Sequence, residues 1–549
     1  MTAADDPAAP PGADQAPGAA DAADAARATT GRSVVSGGLW YLASYGIPQA
    51  YTVVISIVAA RFLGPAGMGT QSFIAFVSIS LTTVLSSSMY LALMRYIGES
   101  VGSGHSELVA GLLAWVWRIE AAAALVGGGA LAAVAALGGK PAGAWGFAAV
   151  VCAAAILHTV PTAALIGLQR FRQAAAVGLV TGFVSTVAIP VVLALGGGIT
   201  GMFAVEAVVG VANLAWTGTL ARRAVRSAAP GRDAATRDLH RRVGRFALLS
   251  SLGLLLDFVV GTRSEFFFLA SFSTHPAIAF YSIAYSAVTA IRVVPRALGG
   301  ATAPAFATLY GAGAIDRIRS GYSRSLRLLL LVSILLAGLG FALAPALVRV
   351  VYGGSYAGVG GPLRILLAGF PLVALSSICG SLLAGLGRVR QPLIGNAAAA
   401  AVDIGLAAAL IPLLDARGAA IANVAGEGTY SAIVLVFSSR LLGRLDWRPW
   451  AAARAVAVSA AAGAAGWATL GPLPESAGVV VGIAVALGVV VLLGAALKIL
   501  PADDAQWIDE SFGRRIGGAV GRLARLWAAP PGNRDSRAAA RPGDGTERA

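Results

Sequence analysis

The chain is poor in charged residues, and lysine, histidine and cysteine are all rare. Only 12% of its 549 residues are charged, against roughly 25% in an average soluble domain. Hydrophobic residues make up 57% and form runs of about 20, which is the length of helix that crosses a bilayer. This composition argues against a soluble globular enzyme and predicts a polytopic membrane protein.

Scarce reactive residues also exclude several kinds of site. The two cysteines, Cys152 and Cys379, lie in apolar segments, so neither a disulfide framework nor a zinc site is available. The four histidines are scattered and form no metal-ligand pair. No G-x-x-x-x-G-K-[ST] sequence is present, and no Ser/His/Asp arrangement is visible. We therefore predict no enzyme activity, no cofactor and no metal.

Between polar ends, the chain contains fourteen apolar segments. Residues 1–32 and 529–549 have the composition of disordered tails, and Phe512 to Trp527 could form a basic amphipathic helix on the membrane surface. Only helices are plausible for the spans, because backbone in lipid must satisfy its own hydrogen bonds. The predicted spans are 36–60, 68–93, 108–137, 144–166, 175–195, 200–220, 246–271, 277–306, 325–348, 363–386, 392–413, 418–438, 450–470 and 476–498.

The basic residues predict the orientation of these spans. The net charge is +15, from 41 Lys+Arg against 26 Asp+Glu. If both termini are cytoplasmic, 31 of the 41 basic residues lie in inner loops or tails and five in outer loops. Such a bias is typical of cytoplasmic loops. The charge therefore predicts a multi-pass cell-membrane protein with both termini inside, and not a nucleic-acid-binding protein.

An internal repeat divides the spans into two groups. Residues 167–173 and 385–391 both read G-L-x-R-x-R-Q, 218 residues apart. Pro190, Gly197 and Glu206 find counterparts in Pro412, Gly418 and Glu427 at nearly the same offset. Two six-helix halves of the same orientation would form the parallel-repeat arrangement known in some secondary transporters.

The predicted fold is thus an all-α integral membrane protein of about fourteen transmembrane helices. It consists of two six-helix lobes related by a pseudo-twofold axis, with two further helices at the C-terminal end. The predicted divisions are a disordered tail 1–32, an N-lobe 33–223, a basic cytoplasmic linker 224–245, a C-lobe 246–441, helices 13 and 14 in 442–500, and an amphipathic and disordered tail 501–549.

Ten ionisable residues fall inside these spans, where each costs about 2.5–3.5 kcal/mol at the bilayer centre. They are Arg118, Glu120, Glu206, Asp257, Arg263, Glu265, Arg292, Arg296, Asp403 and Glu427. Arg292 and Arg296 are four residues apart, so they are expected to share a helix face. Two interpretations remain open: a basic wall formed by helices 7 and 8, or structural ion pairs between the halves. A basic cavity would suit an anionic substrate such as a lipid-linked pyrophosphate, which arginine binds with a bidentate fork.

Several short motifs resemble those of bacterial polysaccharide and oligosaccharide flippases, members of the multidrug/oligosaccharidyl-lipid/polysaccharide (MOP) exporter superfamily. Residues 59–69 read ARFLGPAGMG after an alanine, like the family's ARxLGPxxxG opening. Residues 90–99 resemble its second helix, and 263–285 its helices 7 and 8. Residues 351–356 resemble its xYGxxY motif, and 385–391 its GxxR loop.

The resemblance implies a V-shaped fold that carries an undecaprenyl-diphosphate-linked oligosaccharide from the inner to the outer leaflet by alternating access. Cavity arginines of related transporters contact the diphosphate, which implies this role for Arg61, Arg263 and Arg292. Helices 13 and 14 match, by position, the extra helices of lipid II flippases. The expected partners are the lipid-linked glycan, membrane lipids, and a glycan polymerase or glycosyltransferases. The predicted substrate-binding set is Arg61, Arg118, Asp257, Arg263, Glu265, Arg292 and Arg296.

Three alternatives are a cation-coupled multidrug antiporter of the same superfamily, a lipid II flippase, and a non-transporting scaffold for glycan synthesis. Drug exporters need intramembrane acids, often in helix 1, and residues 36–60 contain none. A scaffold has no need for costly buried arginines. The coupling force is left open between sodium, protons and the membrane potential.

Overall fold

The computed structural model is an all-helical membrane protein. It describes residues 31–103, 105–228, 237–261, 265–388, 390–443, 446 and 448–530. Only the backbone is described for 31–45, 249, 252, 256–261, 294, 297, 298, 300, 301, 304, 510–517 and 519. The predicted disordered tails therefore lie almost wholly outside the described residues.

Each of the fourteen predicted spans corresponds to helix, which confirms the predicted fold class. Two of the helical runs, Gly31–Gly102 and Arg390–Leu442, are interrupted at Gly64 and Asp415. In order, the helices are α1 (31–63), α2 (65–102), α3 (Leu108–Ala136), α4 (Ala142–Gly167), α5 (Phe171–Ala194), α6 (Gly198–Ala228), α7a (Arg237–Gly261), α7b (Glu265–Phe272), α8 (His275–Gly311), α9 (Ile315–Tyr352), α10 (Gly360–Gly385), α11 (390–414), α12 (416–442), α13 (Pro449–Ala468), α14 (Glu475–Leu497) and α15 (Ala502–Trp527). The seventh span contains two helices, α7a and α7b, and one further helix, α15, follows the spans.

The helix breaks occur where the sequence predicts loops. Gly64 has φ 67°, a value that costs glycine little because it lacks a Cβ, and Pro65 then starts α2. Asp415 has φ 50°, and its carboxylate accepts a hydrogen bond of 2.6 Å from the Ser273 hydroxyl. Ten helical runs in the described chain are long and apolar enough to cross a membrane, and these two interrupted runs are among them.

The repeated G-L-x-R-x-R-Q motif forms the same structure twice. Gln169 and Gly387 both have positive φ, and the backbone N–H groups of Arg170 and Arg388 each bond the carbonyl five residues earlier. A Cβ at Gly167 would lie 2.9 Å from Ile97 on α2, and one at Gly385 would lie 2.6 Å from the Ala303 carbonyl on α8. Hence α4 packs against α2 as α10 packs against α8, as two equivalent lobes require.

The lobes meet in a shared apolar core. Its buried residues come from α1, α2, α5 and α6 on one side and from α7b to α12 on the other; they include Ala59, Phe76, Phe266, Tyr281 and Tyr356. Separate cores lie within the N-lobe, around Leu93 and Leu112, and within the C-lobe, around Tyr322 and Cys379.

The segment 224–245, predicted as a linker, is partly helical. α6 continues to Ala228, and α7a begins at Arg237. The first turns of α7a pack on the N-lobe, where Arg242 forms an ion pair of 3.3 Å with Glu99 and His240 stacks on Trp115. This packing explains the difference, because α7a gains contacts on both lobes before it enters the C-lobe.

Helices α13 and α14 pack beside α9 through small residues. The Ser459 hydroxyl donates to the Ile334 carbonyl at 2.8 Å, and Gly466 and Gly482 approach closely enough that a Cβ on either would contact the other's carbonyl. Close approach of this kind stabilises helix pairs in lipid, where apolar burial between helices gives no advantage.

Helix α15 folds back on itself. Its 26 residues would span about 39 Å if straight, yet the Leu500 N–H donates to the Trp527 carbonyl at 3.0 Å. Its first turn is fastened to α9 by the fully buried Asp504, which accepts from Arg327 at 2.7 Å and Arg324 at 3.3 Å. The predicted amphipathic stretch 512–527 is therefore the returning half of a helical hairpin, and its contact with the membrane surface stays a prediction.

Candidate functional site

The C-lobe contains a cluster of buried ionisable side chains. Glu265 on α7b and Asp403 on α11 are fully buried, and Arg292 on α8 is 6% exposed. Glu427 on α12 is buried beside Arg292. Four helices from separate parts of the sequence therefore bring charges into one region of the lobe.

Glu265 and Asp403 form an acidic pair. Asp403 is the charged group that acts most strongly on Glu265, and Tyr281 and Asn423 are its polar neighbours. Both carboxylate oxygens of Glu265 and the Tyr281 hydroxyl are buried, and among the described residues none of them makes a hydrogen bond of standard geometry, although Tyr281 and Asn423 lie near enough to act on the carboxyl. Two like charges in an apolar site cannot both ionise at low cost, and an uncompensated buried charge is expensive. The arrangement is chemically suited to hold a proton or a small cation.

Arg292 is paired inside the same lobe. Its Nη2 lies 3.4 Å from Glu427 Oε2, and the other Glu427 oxygen accepts from Ser376 at 2.7 Å. The guanidinium also lies 5.7 Å from the Tyr285 ring centroid. The neighbouring cavity has a volume of about 10 Å³, room for one water at most. Of the two interpretations left open, Arg292 follows the ion pair, although the partner is within its own lobe and not in the other half.

Arg61 lies at the contact between the lobes. Its Nε and Nη2 donate to the carbonyls of Val351 and Val350 at 2.8 and 2.7 Å, at the end of α9. Beside it, the Tyr356 hydroxyl donates to the Ala60 carbonyl at 2.7 Å. We call these five residues the outer contact, since the charge distribution predicts this end of the helices to be extracellular. A Cβ at Gly69 would lie 1.8 Å from the His275 carbonyl, so α2 and α8 also meet closely at this end.

The remaining predicted site residues lie elsewhere. Arg118 on α3 and Arg296 on α8 are exposed, so Arg292 and Arg296 differ in environment although four residues separate them. For Asp257 only the backbone in α7a is described, and Arg263 lies outside the described residues. The structure thus brings Glu265 and Arg292 into one cluster and does not bring Arg61, Arg118 or Arg296 into it.

Sequence analysis recognised Asp403 and Glu427 as intramembrane charges but left them out of the site, and it missed Tyr281, Asn423 and Ser376. A local signal existed: Tyr281 and Tyr285 are four apart on α8, as Asn423 and Glu427 are on α12. Such spacing places each pair on one helix face.

Comparisons with known proteins identify the fold in which this cluster lies. The MatE family model matches residues 265–408, about a quarter of the chain, from Glu265 to just beyond Asp403. The lipid II flippase MurJ in an inward closed conformation superposes with a TM-score of 0.65 at 11% identity, over 84% of this chain and 99% of that one. The fold is that of MOP-superfamily transporters.

Two further solved structures are similar. An inward-facing multidrug resistance MATE family transporter of the MOP superfamily gives a TM-score of 0.60 at 16% identity, over 75% of this chain and 98% of its own. A MOP-superfamily transporter from Pyrococcus furiosus gives 0.56 at 17% identity, over 77% and 98%. No curated protein matches the sequence. At these identities the structural likeness establishes the fold alone.

Proposed function

We propose that this protein is a cation-coupled secondary transporter that moves an undecaprenyl-diphosphate-linked oligosaccharide from the inner to the outer leaflet by alternating access. The observation that carries the proposal is the buried Glu265–Asp403 pair, in which two carboxyl groups act on each other and Tyr281 and Asn423 are the neighbouring polar side chains. A costly pair of this kind inside a membrane marks an ion or proton pathway.

The acidic pair lies next to the apolar core that the two lobes share. Phe266, next to Glu265 on α7b, stacks on Phe76 of α2 with ring centroids 4.9 Å apart. A cation bound at Glu265 would therefore change the packing of α7b against the N-lobe. A bound cation shifts a conformational equilibrium only by the difference between its affinities for the two conformations. The two carboxylates provide such a difference if they lie together in one conformation and apart in the other.

The outer contact represents the state closed toward the predicted outside. Opening on that side would break the Arg61 and Tyr356 hydrogen bonds to main-chain carbonyls. Hydrogen bonds to charged groups contribute about 1.5–3 kcal/mol each, so cation and substrate binding together can supply enough free energy to break them.

Three observations support the lipid-linked substrate. The described side chains of α1, residues 46–63, include no acid that would attract a cationic drug. Arg296 is exposed on α8 and can donate a planar fork to a diphosphate. The match to the lipid II flippase MurJ covers more of this chain than the match to the multidrug transporter does. Arg263 remains a second proposed diphosphate ligand, and Arg61 would become available when the outer contact opens.

The acidic pair also suits a cation-coupled multidrug antiporter, which is the second candidate. Reconstitution into liposomes separates the two. We expect a fluorescent undecaprenyl-diphosphate oligosaccharide to cross faster than in empty liposomes when a sodium or proton gradient is applied. The same assay with lipid II tests the alternative lipid substrate. Arg296→Gln should slow this movement, with Arg440→Gln, at an exposed arginine in the last turn of α12, as the matched control. Export of a cationic dye without lipid movement would refute the flippase assignment.

A further inference from the structure

The N-lobe contains a buried carboxyl of its own, remote in sequence from the acidic pair. Glu120 on α3 is fully buried, twelve residues from the start of the helix, which places it about 18 Å along the axis. Its Oε2 accepts from the Ser86 hydroxyl of α2 at 2.6 Å. Ser86 Oγ lies 2.9 Å from Thr159 Oγ1 of α4, and Thr159 donates to the Ile156 carbonyl at 2.6 Å.

Counting hydrogens distinguishes the two states of Glu120. If the carboxyl is ionised, it receives one hydrogen bond, from Ser86, while Glu120 Oε1 has no partner among the described residues. If it is protonated, Glu120 donates to Ser86, Ser86 to Thr159, and Thr159 to the Ile156 carbonyl. Each of the three short O···O contacts then holds one hydrogen, whereas the ionised state has only the two hydroxyl hydrogens for the same three contacts. A buried carboxylate with a single neutral partner is costly, so the protonated state fits this geometry.

Among the side chains that the structure describes on the surrounding helices, no positive charge compensates an ionised Glu120. On α3, Arg118 is exposed and two residues away, so it points to a different face. On α2, the Arg95 guanidinium lies over the Phe246 ring. On α4, His158 lies 3.2 Å from Thr217 of α6 and 3.1 Å from Thr162, and the buried thiol of Cys152 bonds Thr82. Glu206 of α6 is partly buried and, as an acid, cannot compensate a negative charge.

We propose that Glu120, Ser86 and Thr159 form a proton-binding site in the N-lobe, separate from the Glu265–Asp403 pair, whose occupancy controls the packing of α2 against α3 and α4. The ligand is a proton because the three side chains enclose one hydrogen-bonded chain and leave one acceptor, Oε1, unused. The helix affected is α2, which also carries Phe76 to the lobe contact. Loss of the proton would leave a charge between three helices and loosen the N-lobe beside that contact.

Infrared difference spectroscopy of the full-length protein in liposomes tests this site without requiring transport. A protonated buried carboxyl has a C=O stretching band distinct from those of carboxylate and amide. We expect Glu120→Gln to remove one such band at neutral pH, while Glu99→Gln, at an exposed ion pair, leaves it unchanged. Ser86→Ala, which keeps the carboxyl, should shift the band because the acceptor of its hydrogen is lost. A spectrum in which Glu120→Gln removes no carboxyl band would overturn the proposal.

The exchange of the proton is tested by pH titration of the same band. In the wild-type protein the band should decrease as the pH is raised. Glu265→Gln should show the same decrease, because the N-lobe site does not depend on the acidic pair; the two proposals can therefore fail independently. A band that is lost in Glu120→Gln but does not respond to pH in the wild-type protein would show a permanently protonated structural carboxyl, and it would equally overturn the proposal.

Discussion

The two lobes share one helix arrangement but bury different polar groups. At equivalent places, Gly167 lets α4 approach α2 and Gly385 lets α10 approach α8. Inside, the N-lobe surrounds Glu120 with hydroxyl groups, whereas the C-lobe surrounds Glu265 with Asp403 and places an arginine nearby. Close helix contacts therefore define the repeated fold. The buried polar groups can differ between the lobes because each buried carboxyl needs suitable partners only among its immediate neighbours.

The largest expected effect concerns the buried Arg292–Glu427 ion pair of the C-lobe. Glu427→Ala leaves Arg292 buried and unpaired, which should lower the free energy of unfolding by about 3–5 kcal/mol. Thermal unfolding in detergent measures this loss. The double variant Arg292→Met with Glu427→Leu replaces both charges by apolar groups and should recover most of the stability; a double variant as unstable as the single one would contradict the pairing.

The next effect concerns coupling. Replacing Glu265 by Gln together with Asp403 by Asn removes both charges at little change in shape, and should reduce gradient-driven transport by a factor of about 100, near the upper range for coupling between two sites. Uptake into liposomes with and without a sodium or proton gradient measures it. Asp415→Asn, at the α11–α12 break, is the matched control, and equal losses in both variants would remove the acidic pair from coupling.

Substitutions at the equivalent glycines test the comparison of the lobes directly. An alanine Cβ at Gly385 would meet the Ala303 carbonyl at 2.6 Å, and one at Gly167 would first meet the Ile97 side chain at 2.9 Å. Since backbone yields less readily than a side chain, we expect Gly385→Ala to cost about 1–3 kcal/mol and Gly167→Ala less. The opposite order in thermal unfolding would contradict this explanation of the two contacts.

The smallest effect is expected at the outer contact. Arg61→Gln shortens the side chain and removes its charge-assisted bonds to Val350 and Val351, which should favour the outward-open state by about 1–2 kcal/mol. A cysteine placed at Ser72 reports this through its labelling rate with a membrane-impermeant thiol reagent, since Cys152 and Cys379 are buried. Arg349→Gln, at a separate ion pair with Glu475, is the control. A labelling rate unchanged from wild type would exclude Arg61 from closing this end.

Much of the fold could be predicted because it depends on local sequence. Apolar length predicted all fourteen spans, and the repeated Gly-Leu-x-Arg motif predicted two equivalent lobes. The breaks at Gly64 and Asp415 fell in predicted loops. The site was less predictable. Arg292 was expected beside Arg296, whereas its partner Glu427 is 135 residues away.

By itself, the sequence determined that this chain forms about fourteen membrane helices in two related groups, because lipid permits few other ways to satisfy the backbone and apolar length is visible residue by residue. Only the tertiary structure decided which intramembrane charges meet. Glu265 approaches Asp403, and Arg292 approaches Glu427, because helices distant in sequence pack side by side. The rotation of each packed helix about its own axis selects the partner, and helix spacing alone does not specify that rotation.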